Sequence, residues 1–451
     1  MAKRFGVMLD MSRNAVMRPE QVKEFAKTVK SFGYNMIQLY TEDTYEVPGE
    51  PYFGYLRGRY SQNELKDMVA YCNSIGVELI PCIQTLAHLE GIFHWSEYRK
   101  IRDIDAILLV GEERTYELID NMFKSLRECY TTEYIHIGMD EAHNLGLGKY
   151  LDKHGFGNRF EIIKKHLERV IEIAKKYNFK PMMWSDMFFR LANHGRYYVD
   201  DPNIITDEVV ASCPEGVEQV YWDYYHSDRT NYDVMFEAHK KFPGETWFGG
   251  GAWVWSGFVP TNCYTMETMV PAMQSCRKYG VDNIFLTMWG DDGKDCSYFA
   301  GLSGLFAAAQ MAKGNFDRQD IEQKFEDLFG YRFEEFMNLE LANITAEEES
   351  HRHNPSKYLL FNDPFLGLLD YTVHDELKDR YAAAVKTVEA SVNGREYDYL
   401  FDFQAKLLTL LTRKCDLGLR LRKAYQSQDK KALATLLEEE FPPMAQETRD
   451  V

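Results

Sequence analysis

Two adjacent acids, Asp140 and Glu141, end the segment EYIHIGMDEAHN (133–144), in which an apolar run through Tyr134, Ile135 and Ile137 passes Gly138 into the pair, with His136 and His143 close by. A buried strand delivers chemistry to its open end in this way. Paired carboxylates suit cleavage of a glycosidic bond, because one acid must protonate the leaving oxygen while a second group stabilises a cationic sugar. An acid and a carboxylate nucleophile must flank the bond about 5 Å or more apart, so chain neighbours are better suited to a split in which one acts on the leaving group and the other on the substrate itself. The bland alternative is a helix N-cap or a solvated loop.

Other chemistries fit less well. His136, Asp140, Glu141 and His143 are metal-ligand types within eight residues, but the spacing is not HExxH and alternate residues of a strand face opposite ways, so no metal is expected. There is no GxSxG elbow for a serine nucleophile and no cysteine in an activating context. Gly249, Gly250 and Gly251 lack the GxGxxG pattern and P-loop lysine of a phosphate cradle and read as a close-packed turn. No cofactor is expected.

The elements that must position the pair repeat along the chain. RFGVMLDM from Arg4 reads as a strand, followed by a helix with Pro19 near its start and Gly33 at its end. NMIQLYTED, VELIPCIQTLAH, EYIHIGMDE, PMMWSDMFF, VYWDYY, WFGGGAWVWSG and NIFLTMWGDDG follow as further strands, separated by helical periods except in the weakly patterned Arg190–Glu215 region. Eight alternations within about 310 residues indicate parallel βαβ units, as a barrel or an open doubly wound sheet. Asp10, Asp43, His88, Asp140, Glu141, Trp184, Asp186, Tyr221, Asp223, Trp253, Trp255, Trp289 and Asp291 gather at or just past C-terminal strand ends. That gathering favours the α/β class as a (β/α)8 TIM barrel, over residues 1–315. Residues 316–451 carry only helical periodicity, over Asp320–Glu349, Tyr371–Ser391, Tyr397–Tyr425 and from Lys430. They read as an α-helical C-terminal domain that stops soon after Pro442-Pro443 and is open to being incomplete.

Composition narrows the partners. Lys plus Arg total 52 against 70 Asp plus Glu, a formal charge of −18, which argues against nucleic acid or an anionic membrane. Aromatics form 14% of the chain, and every tryptophan except Trp95 falls between Trp184 and Trp289, where ring faces can stack on a sugar. The eight scattered cysteines read as reduced thiols. With no signal-peptide pattern and no spanning segment, a cytoplasmic protein is expected, and a homodimer is left open.

HIGMDE at 136–141 resembles the H-x-G-G-D-E signature of glycoside hydrolase family 20, the β-N-acetylhexosaminidases, with Met139 in place of the second glycine. The resemblance extends over the barrel, about two-thirds of the chain: GVMLDMSRN resembles the first-strand motif, and Asp43, His88, Trp184, Tyr221-x-Asp223 and Trp289-x-Asp291 fit the family's pocket. It implies substrate-assisted, retaining release of terminal β-linked GlcNAc, with GalNAc as the alternative, through an oxazolinium intermediate. Glu141 would be the acid and then the base, Asp140 would orient the acetamido group, and Tyr221 would bond its oxygen. Asp43 and His88 would support the acid beside His136 of the signature. Trp184, Trp253 or Trp255, and Trp289 would wall the sugar, with Asp223 and Asp291 on its hydroxyls. Phe5 stands where the family commonly has arginine, so Arg4, Glu42 or another residue must serve; Asp10, Arg13 and Glu42 are the further substrate-binding candidates. W-x-D replaces the family's W-x-E, and no N-terminal α/β domain is expected before strand one. These features are similar to the smaller bacterial branch, a barrel followed by helices. Two alternatives remain: a barrel glycosidase with Asp223 or Asp291 as nucleophile, and a non-catalytic glycan-binding protein.

Overall fold

The computed structural model describes residues 2–291, 293–346 and 354–451. Eight strands, β1 Arg4–Asp10, β2 Met36–Tyr40, β3 Glu78–Cys82, β4 Tyr134–His136, β5 Lys180–Trp184, β6 Glu218–Trp222, β7 Thr246–Gly251 and β8 Asn283–Met288, close into a barrel in chain order. All pairings are parallel, and β1 closes the ring with Arg4 opposite Asn283. The expected barrel is therefore the observed one. Its strands are buried on both faces, which is why they read as apolar runs rather than clean alternations.

Local signals explain the helices between them. Ser61 accepts the Glu64 N–H while Glu64 accepts the Ser61 N–H, a capping box that starts Gln62–Ser74. Pro19 opens Pro19–Phe32, and Gly33 closes it at φ 104°. The expected strand PMMWSDMFF is shorter than its apolar run. Pairing with β6 ends at Trp184, and Phe188 and Phe189 belong to the helix Asp186–Ala192. The weakly patterned stretch that follows forms a short turn, Pro202–Ile204, and the short helix Asp207–Ala211, capped by Thr206.

The chain divides into two compact units. The first comprises Met1–Gly251, Glu267–Trp289 and Ala308–Asn315; the second comprises Ala252–Met266, Gly290–Ala307 and Phe316–Val451. In the second unit the expected helix Asp320–Glu349 is divided into Arg318–Phe329, Phe333–Met337 and a 3-10 turn, Asn338–Asn343, after Gly330 leaves the helix at φ 68°. Glu349 and Asp292 lie outside the described residues. The buried Asp398 ties the unit together by accepting the Tyr331 hydroxyl and the N–H groups of Asn393 and Arg395. Pro442 and Pro443 do not end the structure: they sit in the first turn of Phe441–Asp450, where their missing N–H groups cost little. No helix among the described residues is long and apolar enough to cross a membrane.

Past β4 the backbone is unusual. Gly138 (φ 69°) and Met139 (φ 74°) are consecutive left-handed residues, and Glu141 follows at φ 53°. A Cβ on Gly138 would run into the Gln84 side chain and the Ile83 carbonyl, so no other residue fits there. Met139 is wholly buried. Its left-handed conformation costs about 1–2 kcal/mol, whereas emptying a core methionine site costs about 2–5 kcal/mol. Met139→Gly is therefore expected to lower stability to chemical denaturation by a net of about 2 kcal/mol, the difference between the mid-values of the two effects; a variant more stable than the parent would show that strain outweighs packing.

Candidate active site

The two acids receive unlike surroundings. Asp140 is fixed: its Oδ1 accepts Gln84 Nε2 at 2.8 Å and its Oδ2 lies 3.3 Å from His88 Nε2. Glu141 is more open, with a side chain 39% exposed, and two cations face it, His88 Nε2 at 3.6 Å from Oε2 and Arg190 Nη2 at 3.3 Å from Oε1. Asp186 accepts the Glu141 N–H at 3.1 Å and Arg190 Nε at 2.8 Å, so the first turn of the helix after β5 holds the main chain of the acid from β4. Gln84 also accepts the Met139 N–H at 3.2 Å, bracing the left-handed turn from β3.

Charge follows this geometry. Burial opposes a charge on His88, yet Asp140, Glu42 and Glu141 outweigh it and raise the imidazole to about 10. Burial likewise works against the Asp140 carboxylate, but His88 and the Gln84 hydrogen bond hold it below its ordinary value. Burial and the neighbouring Asp140 charge push Asp186 up to about 7, against the pull of Arg190. Burial raises Glu42 to about 8 despite Arg13. His136 is driven by burial down to about 3; its neutral ring accepts the Gly138 N–H at Nδ1 and packs 4.4 Å from Trp184.

A polar chain runs along the mouth from β1 to β4. Asp10 holds the Ser12 hydroxyl at 2.7 Å and Arg13 at 3.3 Å, Arg13 reaches Glu42 at 3.4 Å, and Tyr40 bonds Glu42 at 3.1 Å. Gln84 donates to the Tyr40 hydroxyl at 3.0 Å as well as to Asp140. Asp10, Arg13 and Glu42 are thus brought together. Arg4 is not with them: its guanidinium lies 4.2 Å from the Tyr134 ring and 3.5 Å from Glu78, at the strands' N-terminal ends. The charges acting on His88 are those of Asp140, Glu42 and Glu141, whereas Asp43 faces Arg57 at 3.5 Å.

The aromatic residues divide. Trp289 lies 6.0 Å from Trp184 and edge-on to Tyr40 at 4.9 Å. Tyr221, expected at the substrate, is turned the other way. Its ring packs on Phe236 and His239 of the helix Arg229–His239, and its hydroxyl donates to Asp223 at 2.7 Å. Asp223 is also occupied, accepting the N–H groups of Tyr225 and His226 and facing His226 Nδ1 at 2.7 Å. Both are corrected to loop-fastening roles, because they fall on the outward side of the strand alternation. The tyrosine on the inward parity of this loop is Tyr224, which hydrogen-bonds Trp289 and Thr287 and stacks on Trp222 at 5.3 Å; burial raises its hydroxyl above its ordinary value, and the Asp140 charge adds to this. Trp253 and Trp255 belong to the second unit, where they stack on each other at 4.3 Å; Asp291 belongs there too. Gln84, Arg190, Tyr224 and Trp222 were not expected from the sequence, and Asp186 was expected only as a strand-end acid.

Comparison with known proteins bears on the family and the fold. Residues 4–207 match the glycosyl hydrolase family 20 catalytic domain, and residues 334–451 match the glycoside hydrolase 20C C-terminal domain. Human hexosaminidase D is 24% identical over 349 residues, covering 72% of this chain and 68% of its own length; the bovine protein of that name is also 24% identical, covering 52% and 65%. The chain thus spans about two-thirds of these relatives. Among solved structures, a β-N-acetylhexosaminidase superposes with a TM-score of 0.57 at 15% identity, covering 78% of this chain and 81% of the other. Flavobacterium johnsoniae chitobiase gives 0.55 at 15% identity, covering 97% and 75%. The chain belongs to glycoside hydrolase family 20.

The His88 charge has a consequence for stability. Its value in the fold, about 10, exceeds the ordinary 6.5, so its contribution is fully present below pH 6.5 and is lost as pH rises towards 10. His88→Gln is expected to show a smaller fall in Tm between pH 7 and pH 9.5 than the parent; equal falls would place the alkaline sensitivity elsewhere.

Proposed function

We propose that the chain is an exo-acting β-N-acetylhexosaminidase that removes terminal β-linked GlcNAc, with GalNAc as the alternative, by substrate-assisted retaining catalysis. The observation that carries this reading is the asymmetry of the acid pair. Asp140 is buried, anionic and fixed by Gln84 and His88, suited to accept the acetamido N–H and to stabilise positive charge as the acetamido oxygen bonds the anomeric carbon. Glu141 is reachable and gives its proton to the leaving oxygen as the glycosidic bond breaks. It then takes a proton from the water that opens the oxazolinium ring, restoring the anomeric hydroxyl and the acetamide. Tyr224, which stacks on Trp222 on the inward parity, is better suited to the acetamido oxygen than Tyr221, whose ring and hydroxyl are engaged on the outward side. Trp184 and Trp289 supply the apolar wall, and Asp10, Arg13 and Glu42 the polar partners for sugar hydroxyls. The engagement of Asp223 within its own loop argues against its use as a separate nucleophile.

The test compares an aryl β-N-acetylglucosaminide with the corresponding β-glucoside. Hydrolysis of the first about 10²-fold or more faster is expected, because the glucoside lacks the neighbouring nucleophile; comparable rates would remove the acetamido-assisted mechanism, and no turnover of either would leave a glycan-binding protein.

Arg190 and Asp186 hold the acid from behind, so Arg190→Met is expected to lower kcat on the aryl substrate about 10²-fold with KM nearly unchanged. A loss confined to KM would instead make Arg190 a substrate contact.

A further inference from the structure

Two loops of the first unit carry an aromatic cluster that the acid chemistry does not use. Tyr52 and Tyr55, after β2, are 42% and 45% exposed, and both meet the half-buried Trp95, after β3. The Tyr52 and Trp95 rings stack at 5.5 Å and 26°, Tyr55 stands edge-on to Trp95 at 5.0 Å, and the two tyrosines are 5.9 Å apart.

A rigid buried brace holds this open cluster. Glu50, two residues before Tyr52 and 2% exposed, accepts the hydroxyl of Tyr98, three residues after Trp95, at 3.0 Å. It also takes both Arg114 Nη groups at 2.9 and 2.6 Å and Asn121 at 3.0 Å. A buried carboxylate satisfied this fully fixes one loop on the other. The loops converge again at Asp43, since a Cβ on Gly54 would meet its carbonyl and one on Gly91 its carboxylate. Gly91 lies three residues past His88, the cation beside Glu141 Oε2. The loops that carry the platform are therefore anchored on the segment that also carries His88, the residue facing Glu141.

We infer that Tyr52, Tyr55 and Trp95 form a stacking platform for the sugars of the leaving group, downstream of the bond that is cut. This rests on the hexosaminidase reading. A pyranose with equatorial substituents presents C–H-rich faces that match aromatic faces, and rings held rigid before binding lose little entropy on contact.

The test uses the full chain and Tyr52→Ala/Tyr55→Ala, with Trp95→Leu as a second variant. Substrates are an aryl β-N-acetylglucosaminide and β-linked tetrasaccharides ending in N-acetylglucosamine, one β-1,4- and one β-1,3-linked. The preference for at least one tetrasaccharide over the aryl substrate, as the ratio of kcat/KM values, is expected to fall about tenfold, through KM. An unchanged ratio for both tetrasaccharides overturns the proposal. Calorimetric titration of the same tetrasaccharides into Glu141→Gln, with and without the tyrosine substitutions, separates the two readings. Binding weakened about tenfold by the substitutions supports the platform even if the parent hydrolyses nothing, and equal binding, or none in either, overturns it.

Discussion

One imidazole held between two carboxylates is the interaction on which the site depends. His88 stands 3.3 Å from Asp140 and 3.6 Å from Glu141, so its charge serves both acids at once. Without it, two neighbouring acids would compete for protons as like charges and could not hold separate roles. With it, the buried member stays an anion while the other remains accessible. The barrel's task is to bring β3 and β4 side by side so that residues distant in sequence meet here, and Cys82 opposite His136 is the register that does so.

Backbone strain marks the same place. His88, Gly138, Met139 and Glu141 all have positive φ, and three of them carry side chains that pay for that conformation. Such strain persists only where surroundings over-determine it. Here the Gln84 side chain, the Asp186 carboxylate and the packing of buried Met139 supply that constraint.

The eight-fold barrel, the acid pair and most of the mouth were legible in the sequence, because strand periodicity and chain position suffice to place residues at strand ends. What was not legible followed from the side to which each residue points. Tyr221 and Asp223 lie at a strand end but on its outward parity, whereas Trp222 and Tyr224 hold the alternate positions. Gln84 looked like an ordinary polar residue beyond β3, although counting by twos from Ile80 and Cys82 puts it on the same side of the strand. Arg190 carried no strand signal, since it reaches the acid from one turn along a helix that the apolar run Met187–Phe189 disguised as strand. The division of the chain was visible as a change of periodicity near residue 316, but periodicity does not reveal that 252–266 and 290–307 group with the later helices.

Every side chain described as gripping Asp140 or Glu141 lies between Gln84 and Arg190, on β3, β4, β5 and the segments directly after them. The grip on the acid pair is therefore built by three adjacent strands and lies within one contiguous stretch of the sequence. The loops of the other five strands can change without removing any side chain that holds either carboxylate. The hold on the two carboxylates is thus insulated from change in most of the barrel's loops.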